Sequence, residues 1–499
     1  MELTTRALAA ATPAGRDRYI DLLRVASLGT VVLGHWLMAA VTVGQDGRAG
    51  VGNLLAVEPA LQFLTWLLQI MPVFFFVGGF SHALSYRSLH RRLDGQDVYA
   101  AFLRARLRRL LRPVMLFTAV WGATALALQL FVPKSQLPDI AARLVAQPLW
   151  FIGIYLAMVA LTPPLLKLHE RYGWAAFAAL TLAAATVDLL RFALGVPYVP
   201  FLNFAFVWLA VHQLGFLRAD GRLRTPRLPA ALAATGLAAA SALVAFGPYP
   251  LSMVGMPGEK ISNMAPPTFA LLCHGIWLVG AVELLRTPAA RLLARPGVWR
   301  GVVAANGVAM TAFLWHLTAM LGVYALALGL GAPFPAPGTG TWWAQAPVRL
   351  AAAAGLTALL VAVFRAAERP PGPASPGTAE AAARTTEDPA RNTAEPVRTT
   401  EDRARTVRWG GPGAALGVTL TLFGVLGLSI VGFAGLLEGH SAVLVAVPVT
   451  APVAVAMTAV GWLLVEAAGR QPPSRRESTH RAGGAVQGER GGFPVGPRP

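Results

Sequence analysis

Apolar residues along this chain fall into long unbroken blocks, not into the alternation of a half-exposed strand or the narrow stripe of a surface helix. Such blocks lie at 20–43, 60–84, 113–132, 148–166, 173–194, 201–217, 229–247, 267–285, 302–329, 346–364, 411–437 and 442–467. Most of them reach the ~20 residues that carry a helix across bilayer hydrocarbon. Only helices and closed barrels satisfy their backbone in lipid, and continuous apolarity selects the helix. The expected fold class is all-α: a polytopic transmembrane helix bundle of about ten core helices, followed by a C-terminal two-helix hairpin.

The polar stretches divide the chain. Residues 1–16 read as an N-terminal cytoplasmic tail and 17–366 as a membrane domain of ten helices. Residues 367–409, rich in Pro, Ala, Thr and charge, repeat Arg384-Thr385-Thr386-Glu387-Asp388 as Arg398-Thr399-Thr400-Glu401-Asp402. Such a composition buries no core and predicts a disordered cytoplasmic linker. An appended transmembrane hairpin follows at 410–468, then a Gly-, Pro- and Arg-rich tail at 469–499, also expected to be disordered. No cleavable signal is expected, because the first block carries Arg24 and lacks a small-residue cleavage site.

Charge then orients the spans. A formal net charge of +18 would suggest nucleic acid in a soluble protein, but here 55% of residues are hydrophobic and only 13% charged. The arginines sit between apolar blocks, as in loops retained in the cytoplasm. Placing the N-terminus inside puts Arg87, Arg91, Arg92, Arg104, Arg106, Arg108, Arg109 and Arg112 in the first inner loop. Lys167 and Arg171 follow in the next, then Arg218, Arg222, Arg224 and Arg227, then Arg286, Arg291, Arg295 and Arg300. The outer stretches hold only Arg48, Lys134, Arg143 and Lys260. The expected location is the cell membrane, multi-pass, with both termini cytoplasmic. The sole cysteine, Cys273, excludes an intrachain disulfide.

Ionisable groups inside spans are costly and mark function. In the first span Arg24 and His35 are eleven residues apart, within ~20° of each other around the helix and ~16 Å along it, and Asp21 shares their face. A histidine there suits proton abstraction from a hydroxyl, or it is a structural histidine bonded within the bundle. The arginine cluster Arg104-Ala105-Arg106-Leu107-Arg108-Arg109 before Pro113 offers forks for phosphate oxygens, or serves only as a topology signal. His316, in mid-span, is a candidate cavity residue, and His82 lies near the inner end of span two. Asp188 and Arg191 are read as neutralising each other. No pair of histidines has metal-ligand spacing, so no metal is expected.

These residues resemble the acyltransferase 3 family of bacterial membrane O-acyltransferases. The resemblance rests on Asp21-Leu22-Leu23-Arg24 followed by His35, on Met71-Pro72-Val73-Phe74-Phe75-Phe76-Val77-Gly78-Gly79-Phe80, and on Arg106-Leu107-Arg108 ahead of Pro113. Leu149-Trp150-Phe151 and Leu314-Trp315-His316 add to it. It covers about 17–366. Gly-Gly-Phe-Ser-His stands where many members have Ser-Gly-Tyr/Phe-Leu, no extracytoplasmic hydrolase-like domain is fused, and the C-terminal hairpin lies outside the pattern. The Ala-, Arg-, Gly- and Pro-rich usage points to a high-GC bacterium.

The resemblance implies transfer of an acyl group, typically acetyl, from cytoplasmic acyl-CoA to a hydroxyl of a glycan, lipid-linked sugar or small metabolite of the cell envelope. It implies His35 in catalysis, as general base or transient acyl carrier, with Arg24 and Asp21 supporting it. Arg104, Arg106 and Arg108 would hold the donor, and His82 and His316 would line the substrate path. The alternative is a transporter or exporter, against which no internal repeat is seen. The expected partners are acyl-CoA, the hydroxyl acceptor and the bilayer, without nucleic acid.

Overall fold

The computed structural model describes residues 6–7, 9–13, 15–43, 49–93, 98–131, 136–256, 258–368, 400–437 and 439–468. Among these, eleven helices are long and apolar enough to cross a membrane, or twelve if the pair Phe269–Leu284 and Arg286–Leu293, bent by 50°, forms one span. The chain is a multi-pass membrane protein.

The long helices are α1 Arg18–Met38, α2 Met71–Arg92, α3 Val98–Phe131, α4 Pro148–Tyr172, α5 Trp174–Phe192, α6 Asn203–Ala219, α7 Arg227–Phe246, α8 Phe269–Leu284, α9 Ala309–Gly329, α10 Gly340–Phe364, α11 Thr400–Val431 and α12 Ala451–Ala468. Local chemistry sets their starts. The Asp17 side chain accepts from the Tyr19 and Ile20 amides to cap α1, and α2 and α4 open with Pro72 and Pro148 in their first turns. Thr268 and Thr339 cap α8 and α10 through the Leu271 and Trp342 amides.

Four boundaries depart from the apolar blocks. The first block is helical only to Met38; Ala39–Val43 (β1) turns away and pairs antiparallel with Ala49–Asn53 (β2). Apolar content alone does not distinguish the β-branched run Val41-Thr42-Val43 from helix. The last block likewise begins as a hairpin, Ser441–Leu444 (β3) with Val447–Thr450 (β4), before α12. The block 302–329 breaks near Gly307, between the helix Pro296–Asn306 and α9. Finally, the arginine-rich stretch is not a loop. It is the first half of α3, which runs on through Pro113. Phe102, Leu103, Leu107, Leu110 and Leu111 are buried at helical spacing, while Arg104, Arg106, Arg108 and Arg112 fall between them and keep some exposure. Of the linker expected at 367–409, residues 400–409 belong to α11; 369–399 and the tail 469–499 lie outside the described residues.

Ion pairs show which helix ends lie together. Arg218, at the end of α6, bonds Asp17 before α1 and Glu283 at the end of α8, both at 2.8 Å. Arg87, near the end of α2, reaches Asp220 after α6 at 2.7 Å and Glu170 near the end of α4 at 3.2 Å. The start of α1 and the ends of α2, α4, α6 and α8 therefore share a basic end of the bundle. At the other end the 247–268 loop is tied down by Trp66 and Gln69, which donate to the Leu251 and Met253 carbonyls at 2.9 and 3.2 Å.

The core lies between α2, α4, α6 and α9. Phe75 packs on Trp208 with ring centroids 4.8 Å apart, and Phe151 on Phe74 and Phe313 at 4.8 and 5.0 Å. Glycines let α2 and α6 touch backbone to backbone: a Cβ at Gly79 would strike the His212 carbonyl, and one at Gly215 the Phe76 carbonyl. Helices α11 and α12 pair with each other and lie along α3 and α4. Their Ala414, Val418, Val425 and Leu428 belong to the same buried core as Phe117 and Phe151.

Candidate active site

Two polar levels occupy the bundle beside α1. The first is a histidine pair in the last turns of α1 and the middle of α9. His35 Nδ1 lies 2.9 Å from His316 Nε2, and the two rings stack with centroids 5.0 Å apart. His316 Nδ1 in turn contacts the Phe313 carbonyl oxygen at 2.5 Å. A carbonyl oxygen can only accept, so in a neutral ring a proton on His316 Nδ1 leaves its Nε2 as the acceptor. His35 Nδ1 is then the donor in the pair, and His35 Nε2 keeps its lone pair. The Trp36 indole donates to the His316 carbonyl at 3.1 Å, fixing α1 against α9 beside the pair.

The second level lies toward the basic end and converges on Ser81 of α2. Arg24 Nη1 bonds Asp21 Oδ1, and Arg24 Nη2 bonds the Ser81 hydroxyl, each at 3.0 Å. Arg106 of α3 reaches the same serine from the other side: its Nη2 donates to the Ser81 carbonyl at 2.9 Å and contacts the Ser85 hydroxyl. Asp21 also accepts from Arg16 at 2.6 Å and from Asn306 at 3.4 Å. Asp21 pairs with Arg24 and Arg16, while Arg106 bonds only serine oxygens, so the level holds a surplus of positive charge, the arrangement that binds phosphate oxygens.

A third group lies between α2, α4 and α6. His82 Nδ1 lies 3.1 Å from His212 Nε2, and His82 Nε2 lies 2.9 Å from the Tyr155 hydroxyl. His82 and His212 are fully buried and Tyr155 is partly so, which suits a structural polar link between three helices.

The sequence as a whole decides which chemistry these levels serve. The family model described as an acyltransferase domain, acyltransferase 3, matches residues 17–365. The chain belongs to the acyltransferase 3 family. It is a membrane acyltransferase, transferring a group other than an aminoacyl group, and the transporter reading falls away. No curated protein and no solved structure matches it. The match takes in the acyltransferase from α1 to α10 and leaves α11 and α12 outside.

Within the acyltransferase, the residues singled out from sequence separate into distinct places. His35 and His316 meet. Arg24, Asp21 and Arg106 meet, but a full ~16 Å of helix lies between Arg24 and His35, and no bond joins them. Arg104 and Arg108 turn toward α12 instead, where Glu466 lies 3.3 Å from Arg104 and 3.4 Å from Arg108. His82 belongs to the buried group with Tyr155 and His212. Asp188 accepts from the Asn203 side chain and the Phe269 amide, at 2.9 and 2.6 Å, while Arg191 acts on it through charge without a direct bond between the two.

Several residues escaped sequence reasoning. Ser81, Ser85 and Tyr155 are ordinary hydroxyl residues whose role depends wholly on what faces them. Glu466 sits in a span outside the family pattern. Arg349 alone carries a signal legible in sequence, a charge within an apolar helix.

Proposed function

We propose that this acyltransferase moves an acyl group, acetyl in the simplest case, from cytoplasmic acyl-CoA to a hydroxyl of a glycan, lipid-linked sugar or small metabolite. His35 is the general base. By the positive-inside rule the basic end faces the cytoplasm, so both termini do as well, and the protein resides in the cell membrane. Arg24 and Arg106 bind the phosphates of the donor at that end. Arg104 and Arg108, tied to Glu466, add to the positive field around them. The pantetheine arm, long and thin, then carries the thioester along α1 toward His35.

The observation that carries this reading is the histidine pair itself, His35 Nδ1 at 2.9 Å from His316 Nε2 with the Phe313 carbonyl at His316 Nδ1. With its Nδ1 proton committed to His316, His35 presents an unprotonated Nε2, the atom a general base requires. Nε2 takes the proton of the acceptor hydroxyl as its oxygen attacks the thioester carbonyl. The carbon–sulfur bond breaks, and the coenzyme A thiolate leaves and takes up the proton from the imidazolium. His316 keeps the ring oriented throughout, as the third group of a nucleophile–base–orienter chain does.

The test is acyl-CoA consumption by purified full-length protein in lipid nanodiscs. His35→Ala is expected to insert normally and to lose at least ~10²-fold in turnover, the lower end of what general-base catalysis supplies. Undiminished consumption by His35→Ala, or none by the wild type, overturns the assignment.

A further inference from the structure

Beside the histidine pair, on the side away from the basic end, α1, α9 and α10 enclose a slot whose walls include Trp36, Tyr324, Trp342 and Arg349. Trp36 is the neighbour of His35 and bonds the His316 carbonyl, so the slot adjoins the proposed base. The Tyr324 hydroxyl donates to the Ala39 carbonyl at 3.2 Å, one turn beyond His35. Arg349 lies in the tenth position of α10, about 13 Å along the helix from its start. Its guanidinium stacks over the Trp342 ring, 4.3 Å from the centroid, and touches the Gln345 amide oxygen at 3.4 Å. Among the described residues no carboxylate pairs with it.

We infer that this slot is the acceptor subsite and that it takes an acceptor bearing an anionic oxygen group, carboxylate or phosphate, on or next to a sugar ring. The inference rests on the acyltransferase reading above and narrows its acceptor. A cation within a membrane helix is costly, and its retention without a carboxylate partner fits a counter-charge supplied by a ligand. The guanidinium fork matches both carboxylate and phosphate oxygens. Of the slot's aromatic rings Trp36 keeps some exposure, and an indole face with a polar edge suits the face of a sugar ring. Trp36, next to His35 in α1 and bonded to the His316 carbonyl, is the slot's link to the proposed base. The slot's lining lies beyond His35 along α1, on the far side from the donor arginines, so the two substrates would meet the imidazole from opposite sides. A plain snorkelling arginine, whose stem covers apolar surface while its head seeks water, would show no such ligand preference.

The experiment measures binding of three soluble probes to the full-length protein in nanodiscs: methyl β-glucuronide, methyl β-glucoside 6-phosphate and uncharged methyl β-glucoside. At least one charged probe is expected to bind ~10-fold or more tightly than the uncharged one, the worth of a charge-assisted hydrogen-bond pair. Which of the two binds tells carboxylate from phosphate. Arg349→Gln and Arg349→Met should abolish the preference and Arg349→Lys should keep part of it. Equal binding of charged and uncharged probes, no binding of either charged probe, or a preference that survives in both neutral variants overturns the inference. Acyl-CoA consumption by the wild type, measured on the same samples, separates the two readings. If consumption persists without a charge preference, only the acceptor inference falls. If an Arg349-dependent preference stands without consumption, the donor chemistry falls instead.

Discussion

At the scale of residues, the histidine pair differs from a structural link in being directional. In the proposed proton order the Phe313 carbonyl holds the proton on His316, and His316 holds that on His35. The two positions should therefore respond differently to substitution. His35→Gln keeps polarity and hydrogen bonding but takes up no proton, so it is expected to be nearly as inactive as His35→Ala. His316→Gln still offers an oxygen that accepts from His35 Nδ1 and should retain much of the wild-type kcat. His316→Leu removes that acceptor, frees the His35 tautomer, and should lower kcat ~10-fold or more at little change in KM for acyl-CoA. Steady-state kinetics on the three variants checks the order. Near-wild-type turnover by His35→Gln, or equal loss in the two His316 variants, would contradict a proton-ordering chain.

At the scale of elements, α3 separates arginines that the sequence presents as one cluster. Successive positions on a helix point 100° apart, so Arg106 faces α2 and Ser81 while Arg104 and Arg108 face α12 and Glu466. Arg106→Ala is accordingly expected to raise the KM for acyl-CoA ~10-fold or more, since each charge-assisted hydrogen bond is worth on the order of 1.5–3 kcal/mol. Arg104→Ala with Arg108→Ala should change that KM less. It should lower thermal stability more, by stranding Glu466, which is largely buried against α3. Equal KM effects from the single and double variants would return all three arginines to one function. The same ion pairs bind the C-terminal hairpin to the family-like unit. Aromatic contact between Phe117 of α3 and Phe433, with centroids 6.0 Å apart, adds to this hold, as does the Phe433 amide, which donates to the Ala142 carbonyl at 3.2 Å.

At the scale of the whole molecule, the ion pairs at the basic end and the arginine alternation along the chain describe one topology. The ends of α2, α4, α6 and α8 join the start of α1, which is what an up-and-down path through the bundle requires. Reporter fusions after Arg222 are expected to score cytoplasmic, and fusions after Gly255 and Gly338 external. A cytoplasmic signal at Gly255 would break the path between α7 and α8.

The sequence by itself determined the spans, their number to within one, their alternation and the family. These are local properties: in lipid each helix satisfies its own backbone, so composition over ~20 residues suffices. It also marked His35, Arg24 and the arginine cluster, because an ionisable residue in an apolar block stands out without a partner being known. It misjudged the ends of blocks, where β1 and β3 are as apolar as helix, and it read the first half of α3 as a loop because charge density masked the helical spacing of Leu103, Leu107 and Leu110. Only the tertiary structure decided who faces whom. His35 and His316 are 281 residues apart, and Arg104 and Glu466 are 362 apart. Their meeting depends on glycine crossings and ring packing between helices, which no local window contains. Hence the sequence marked His35, the proposed base, while the packing of α1 against α9 brought it to His316 and that of α1 against α10 formed the slot beside it.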